Sequence, residues 1–178
     1  MSVYFLGGVH GAGKTKLAQA LAASVGAVAV SASHLIRTQG VTPSTRDKRV
    51  FDLEHNQVTF LSALARYQKR KGDIILDGHY CLLDGRARVV SVSTEVFRQM
   101  APRALILLSS DPQIIASRLY TRDNQVHDLS KIMEQMECEE RTAALVQAEL
   151  GVRLKQVEEP NALADSIAFI KSFVPQDT

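Results

Sequence analysis

Apolar residues along the chain form short runs that alternate with longer stretches of helical spacing. The short runs predict strands at residues 3–6, 27–31, 73–77, 102–109 and 152–157. The longer stretches, rich in strong helix formers or with apolar residues three to five positions apart, predict helices at residues 16–24, 33–37, 47–71, 93–100, 130–150 and 161–173. A further helix begins at Asp111, an N-cap followed by proline. This alternation predicts an α/β fold with a parallel sheet.

The strongest local signal is the segment Gly8-Val-His-Gly-Ala-Gly-Lys-Thr15, which lies between the first strand and the first helix. It matches the phosphate-binding pattern G-x-x-x-x-G-K-[ST] in the strand–loop–helix context that the pattern requires. In such a loop the backbone N–H groups and the helix N-terminus bind a triphosphate. Lys14 is expected to contact the β- and γ-phosphates, and the Thr15 hydroxyl is expected to ligate a Mg²⁺ ion. The alternative is a chance glycine-rich turn. We assign to the ATP site Gly8, His10, Gly11, Ala12, Gly13, Lys14, Thr15 and Lys16.

The second local signal is an aspartate at the end of the third predicted strand. Asp77 follows a buried-type run and precedes Gly78-His79, which is the form of a Walker B segment. Ligands of open parallel sheets bind at the carboxyl ends of the strands, so Asp77 and Gly8 are expected to face one site. Asp77 is then a Mg²⁺ partner of Thr15. The alternative is an aspartate that begins an Asp-Gly turn.

Arginines four residues apart mark the fifth helix. Arg118 and Arg122 lie on one helix face just before a polar interruption, and Arg141 follows on the next helix. Guanidinium groups stabilise the charge of a phosphoryl group in transfer, so Arg118 and Arg122 are catalytic candidates beside Lys14 and Asp77. The alternative is a set of weak surface pairs, for which Asp123, Glu139 and Glu140 are available.

The acceptor site is predicted from the residues at the end of the second strand. That strand ends Ser31-Ala-Ser33 and has no carboxylate, whereas a neutral hydroxyl acceptor needs a general base. A phosphate acceptor is already ionised and needs cations, which Arg37 supplies. Ser33, Arg37 and His79 are the predicted acceptor-binding residues, and the position of His79 after Asp77 also suits contact with the γ-phosphate. Two alternatives stay open: Asp47 or Asp77 as a base, and His79 as a histidine held by the backbone of a tight loop.

Composition narrows the class of protein. The 178 residues are 46% hydrophobic, enough for one core, which predicts a single domain over residues 1–178. Twenty-one basic and 19 acidic residues give a net charge of +2, which does not favour a nucleic-acid or membrane partner. Cys81 and Cys138 lie far apart and outside any C-x-x-C, so we expect free thiols and no disulfide. No signal sequence or membrane-length apolar run occurs, and a cytoplasmic location is expected.

Together these residues resemble the adenylate-kinase-like nucleotide kinases of the P-loop NTPase superfamily, especially the archaeal type. The resemblance covers nearly the whole chain and is carried by residues 8–15, 33–37, 76–79, 111–118 and 135–141. It implies a three-layer fold with a five-stranded parallel sheet in the order 2-3-1-4-5, an acceptor region at about residues 31–71 and a lid at about residues 118–130. It also implies that Arg118 lies by the donor nucleotide, Arg122 on the transferred phosphate, and the loop around Glu159-Pro160 beside the adenine.

The chain departs from these relatives in two segments. Residues 122–128 hold a single arginine where the lid of the relatives has a denser cluster, and residues 46–49 add cations near the presumed acceptor region. These departures leave room for a phosphorylated acceptor other than adenylate. The charges at residues 46–49 also suit a solvated helix start.

The leading hypothesis is thus an ATP- and Mg²⁺-dependent kinase whose acceptor is a nucleotide or another small phosphorylated metabolite. The competing hypothesis is a non-kinase ATPase switch, in which nucleotide binding orders the lid for a protein partner. An RNA- or DNA-end kinase has little support, because polyanion binding normally leaves a basic footprint.

Overall fold

The computed structural model describes residues 2–38, 53–68 and 72–173. Its centre is a parallel sheet of the strands β1 (Val3–Gly7), β2 (Val28–Ser31), β3 (Ile74–Asp77), β6 (Ala104–Ser109) and β7 (Arg153–Glu158). Their order in the sheet is β2-β3-β1-β6-β7. Counted without the two strands of a separate hairpin, this is the predicted order 2-3-1-4-5.

Seven helices are described, and they cover the two faces of the sheet: α1 (Lys14–Val25), α2 (Ala32–Arg37), α3 (Leu53–Gln68), α4 (Thr94–Met100), α5 (Pro112–Asp123), α6 (Leu129–Leu150) and α7 (Ala162–Lys171). Asp111 caps α5 as predicted, because its side chain accepts from the N–H groups of Gln113 and Ile114. The outer parts of the predicted helix at residues 47–71 and the cations at residues 46–49 lie outside the described residues.

The central strand β1 is buried along its whole length and divides the core into two clusters. Tyr4 and Leu6 point to the cluster formed with α1, α5 and α7, whereas Val3 and Phe5 point to the cluster formed with α3, α4 and α6. This alternation follows from the period of two in a strand. Because both faces of β1 are covered, the loop that follows it starts from a fixed position.

Two features differ from the sequence expectations. A two-stranded antiparallel hairpin, β4 (Cys81–Leu83) with β5 (Val89–Ser91), follows β3 and was not predicted. The expectation of free thiols was wrong, because a disulfide joins Cys81 to Cys138 and thereby links β4 to α6. The chain between the two cysteines forms β5, α4, β6 and α5 before α6 packs against β4. The spacing of the cysteines in the sequence does not show this contact.

Candidate functional site

The phosphate-binding loop runs from Gly8 to the first turn of α1. Gly8, Gly11 and Gly13 have φ values of 140°, 85° and 101°, a region that favours glycine. A Cβ on Gly8 would stand 2.5 Å from the carbonyl oxygen of Leu108, so the loop also packs closely against β6. The sequence pattern therefore reflects both backbone conformation and close packing.

Lys14 is buried inside this loop. Its ammonium group donates a hydrogen bond of 2.8 Å to the carbonyl oxygen of Val9. Burial lowers the pKa of Lys14 to about 8, and the carboxylates of Glu139 and Asp77 oppose this effect. The cation is thus held within the loop by oxygens, at the place where a bound phosphate would add further negative charge.

Thr15 and Asp77 meet at the carboxyl edge of the sheet. The Thr15 hydroxyl donates to Asp77 Oδ2 at 2.7 Å, although the residues are 62 positions apart. The register explains the position of Asp77, which pairs with Leu6 on one side and with Ser31 on the other. The structure therefore brings together the two predicted Mg²⁺ partners.

The chemistry of this pair fits a magnesium ion. Hydroxyl and carboxylate oxygens are hard ligands, and Mg²⁺ keeps several waters and phosphate oxygens in its shell, so one or two protein ligands are enough. Within the described residues no group of three or more His, Cys, Asp or Glu side chains is arranged to hold a metal ion. A site that depends on the phosphates of a bound nucleotide is consistent with both observations.

Of the two arginines on α5, Arg118 reaches the loop. Its Nη1 donates to the carbonyl oxygen of Ala12 at 3.1 Å, and its Nη2 forms an ion pair of 2.7 Å with Glu159, just after β7. Arg122 instead binds its neighbour Asp123 through both Nε and Nη2, which is the alternative left open by the sequence. Arg141 is exposed on α6.

Glu139 is the residue of the site that sequence reasoning missed. The sequence suggests only a surface partner for an arginine, but the structure corrects this, because the residue is 2% exposed and lies beneath the loop. Its carboxylate accepts from the N–H groups of Gly8, Tyr80 and Cys81. A signal was present, since Glu139 stands at an apolar position of the α6 stripe formed by Ile132, Met136, Ala143 and Val146.

The two histidines of the site lie against each other. The ring centroids of His10 and His79 are 4.0 Å apart, and His79 Nδ1 lies 3.4 Å from Glu139 Oε1. Burial, followed by the charge of Lys14, holds the pKa of His79 well below its usual range. Both causes favour the neutral form of the imidazole, which is packed between the phosphate loop and α6.

The predicted acceptor side starts at the end of β2. The hydroxyls of Ser31 and Ser33 are 3.2 Å apart, and Ser31 caps α2 by accepting from the N–H of His34. Arg37 is exposed at the last position of α2, and Lys16 is exposed on α1. Since Ser31 is the register partner of Asp77, the start of α2 lies at the same edge of the sheet as the Thr15–Asp77 pair.

A comparison with protein families adds to this geometry. Residues 7–135, which include the loop, Asp77 and Arg118, match the model of a family described as an AAA domain. The chain belongs to this family. The family match spans the loop and the strands β2, β3 and β6. No curated protein matches the sequence.

Solved structures show what this AAA-domain chain is similar to in fold. A shikimate kinase from Acinetobacter baumannii in complex with shikimate has 17% identity and a TM-score of 0.62, over 98% of this chain and 93% of that one. A gluconokinase from Sinorhizobium meliloti has 15% identity and a TM-score of 0.59, over 97% and 93%. A shikimate kinase from Bacteroides thetaiotaomicron has 15% identity and a TM-score of 0.58, over 97% and 98%. The predicted α/β fold, with a five-stranded parallel sheet flanked by helices, is thereby confirmed.

The closer resemblance to archaeal adenylate-kinase-like proteins stays a prediction after these comparisons.

Across the described residues, no helix is both long and apolar enough to span a membrane.

Proposed function

We propose that this chain is an ATP- and Mg²⁺-dependent kinase of a small molecule. The observation that carries the proposal is the meeting of three groups at one edge of the sheet: the buried Lys14 ammonium, the Thr15 hydroxyl and the Asp77 carboxylate. These are the groups that phosphoryl transfer uses to hold nucleotide phosphates and magnesium. The fold shared with shikimate and gluconate kinases supports the same reaction class.

Each group has a separate role in this proposal. Thr15 and Asp77 hold the magnesium ion, which neutralises charge on the phosphates when it is bound. Lys14 leaves the Val9 carbonyl and contacts the β- and γ-phosphates. Arg118 closes the donor site, because it already links the loop at Ala12 to Glu159. Arg122 acts on the transferred phosphoryl group only after it exchanges Asp123 for phosphate.

We further propose that the acceptor is a nucleotide or another small phosphorylated metabolite. In support, the end of β2 and the helix α2 that follows it present the hydroxyls of Ser31 and Ser33 and no carboxylate of their own. Asp77, the register partner of Ser31, accepts from Thr15 and is assigned to magnesium rather than to a general base for a neutral hydroxyl. Ser33, Arg37 and His79 are the proposed acceptor-binding residues. An anionic oxygen needs hydrogen bonds and cations for positioning, and hydroxyls and a guanidinium provide them.

An ADP-release assay with separate acceptor panels tests the proposal. One panel holds nucleoside monophosphates, and the other holds shikimate and gluconate, the substrates named for the similar structures. We expect turnover to depend on magnesium and on a nucleoside monophosphate. Turnover with a hydroxy acid alone would retain the kinase proposal and overturn the phosphorylated acceptor. ADP release that is independent of every acceptor would favour the nucleotide switch with a protein partner.

A further inference from the structure

The Glu139 carboxylate connects three parts of the chain that are distant in sequence. Its Oε2 accepts from the N–H of Gly8 at 2.9 Å and from the N–H of Tyr80 at 3.1 Å, and its Oε1 accepts from the N–H of Cys81 at 3.2 Å. Gly8 begins the phosphate loop, whereas Tyr80 and Cys81 follow Asp77. The carboxylate on α6 therefore holds the first glycine of one nucleotide-binding segment beside the residues that follow the other.

These contacts lie beyond the reach of the sheet itself. The ladder between β1 and β3 ends at the pair Leu6 and Asp77, and the last backbone bond between the two segments runs from the N–H of Gly78 to the carbonyl of Leu6. Past that point the two segments are no longer paired with each other: Gly7 pairs with β6, and Cys81 pairs with β5. Glu139 supplies hydrogen bonds there in place of the ladder, while Gly8 packs against Leu108 of β6 on its other side.

The site requires a carboxylate rather than any polar side chain of similar size. Both oxygens of Glu139 accept from backbone N–H groups, so the amide nitrogen of a glutamine would face a donor in either orientation. A buried charge is costly unless it is paired and hydrogen-bonded. Here burial raises the pKa of Glu139, and the charge of Lys14 and the three N–H donors oppose that rise in part.

We propose that Glu139 is a positioning residue, which fixes the start of the phosphate loop relative to the segment after Asp77 and so keeps Lys14 and the Thr15–Asp77 pair directed at one ligand. This inference rests on the proposed function, since the ligand is Mg·ATP. It assigns to α6 the alignment of the two nucleotide-binding segments. Glu139 itself does not touch the nucleotide.

The test compares Glu139→Gln with Glu137→Gln, which changes the same charge at an exposed position two residues earlier on α6. Binding of a non-hydrolysable ATP analogue with Mg²⁺ is measured by calorimetry, and folding is measured by circular dichroism. We expect Glu139→Gln to keep the fold and to weaken binding about tenfold or more, because an unsatisfied buried donor displaces the loop. Glu137→Gln should bind like the wild type.

Non-additivity separates positioning from a general loss of stability. In a Lys14→Ala protein, Glu139→Gln should reduce the affinity for the ATP analogue by a smaller factor than in the wild type. Without Lys14, correct placement of the loop adds less to binding of the phosphates. The amide ¹H shift of Gly8 should also move in Glu139→Gln, while that of Gly151 at the far end of α6 should not. If Glu139→Gln does not fold, Glu139→Asp is measured in the same way. This variant keeps the negative charge, but its shorter side chain moves the carboxylate oxygens away from the three N–H donors.

The possible failures are distinct. Wild-type affinity in a folded Glu139→Gln or Glu139→Asp protein would overturn the positioning role, and so would additive effects with Lys14→Ala. A wild-type protein that does not bind the Mg²⁺–analogue complex at all would overturn the proposed function, and the role of Glu139 would fall with it.

Discussion

Thr15 and Asp77 form a hydrogen bond of 2.7 Å across 62 residues of sequence, from a hydroxyl at the start of α1 to a carboxylate at the end of β3. Both side chains are held by rigid elements: Thr15 by the first turn of the helix and Asp77 by strand pairing on both sides. A magnesium ion can therefore find both oxygen ligands in place without a large rearrangement of the backbone.

The first prediction concerns this pair. Asp77→Asn removes the negative charge from the proposed metal site but retains one oxygen that can accept from Thr15. We expect the Mg²⁺ concentration needed for half-maximal ADP release to rise about 10–100-fold. The reason is that a neutral amide oxygen binds Mg²⁺ more weakly than a carboxylate oxygen does. A magnesium titration of the variant measures this. Asp165→Asn, at an exposed position of α7, is the matched control.

An unchanged magnesium requirement in a folded Asp77→Asn protein would contradict the metal assignment. It would favour the alternative in which Asp77 only begins the turn at Gly78.

The second prediction concerns Lys14. Lys14→Ala should lower the rate of phosphoryl transfer by about 10²–10³, by analogy with the loss of other electrostatic stabilisers. The fold should survive, since burial disfavours the charge that is removed, as the lowered pKa of Lys14 indicates. Steady-state kinetics and circular dichroism measure the two effects, and Lys131→Ala, exposed on α6, is the control.

Turnover like that of the wild type in a correctly folded Lys14→Ala protein would remove the basis for the kinase proposal. A variant that does not fold would show instead that Lys14 stabilises the loop through the Val9 carbonyl and the charge of Glu139.

The phosphate loop and Asp77 could be predicted because their information is local. The glycines, Lys14 and Thr15 are consecutive, and Asp77 ends an apolar run whose place in a parallel sheet fixes the edge that it faces. Glu139 could not be placed in the same way. Its partners are N–H groups 58 to 131 residues away, and a backbone donor leaves no mark in the sequence of the residue that carries it.

The disulfide escaped prediction for a related reason. Cys81 lies at the start of a hairpin too short to give a clear apolar alternation, and Cys138 lies on a helix whose rotation about its axis depends on packing. The place of Glu139 in the apolar stripe indicates a buried side chain beside Cys138, but it does not identify a partner for the thiol.

The third prediction separates two arginines. Arg37→Ala should raise the acceptor KM and leave ATP affinity nearly unchanged, because Arg37 lies after β2 and not on the phosphate loop. Arg122→Ala should lower kcat more than it weakens binding of either substrate, since its proposed contact forms in the transition state. Initial-rate kinetics with ATP and a nucleoside monophosphate varied independently measure both.

Each variant serves as the control of the other, because both remove one exposed guanidinium from a helix end. Weakened ATP binding with an unaltered acceptor KM in Arg37→Ala would contradict the acceptor site. Unchanged kcat in Arg122→Ala would indicate that its pairing with Asp123 persists during turnover.

The fourth prediction concerns the link between β4 and α6. The disulfide closes a segment with a sequence separation of 57 residues, and a cross-link of that span restricts the unfolded chain. Removing it by Cys81→Ser should lower the free energy of unfolding by about 2–4 kcal/mol. Urea denaturation with and without dithiothreitol measures the difference: the reductant should destabilise the wild type and leave Cys81→Ser unchanged, since the variant has no bond to lose. Two titratable thiols in wild-type protein unfolded without reductant would contradict the disulfide, and a reductant effect of equal size in Cys81→Ser would show that the change arises elsewhere.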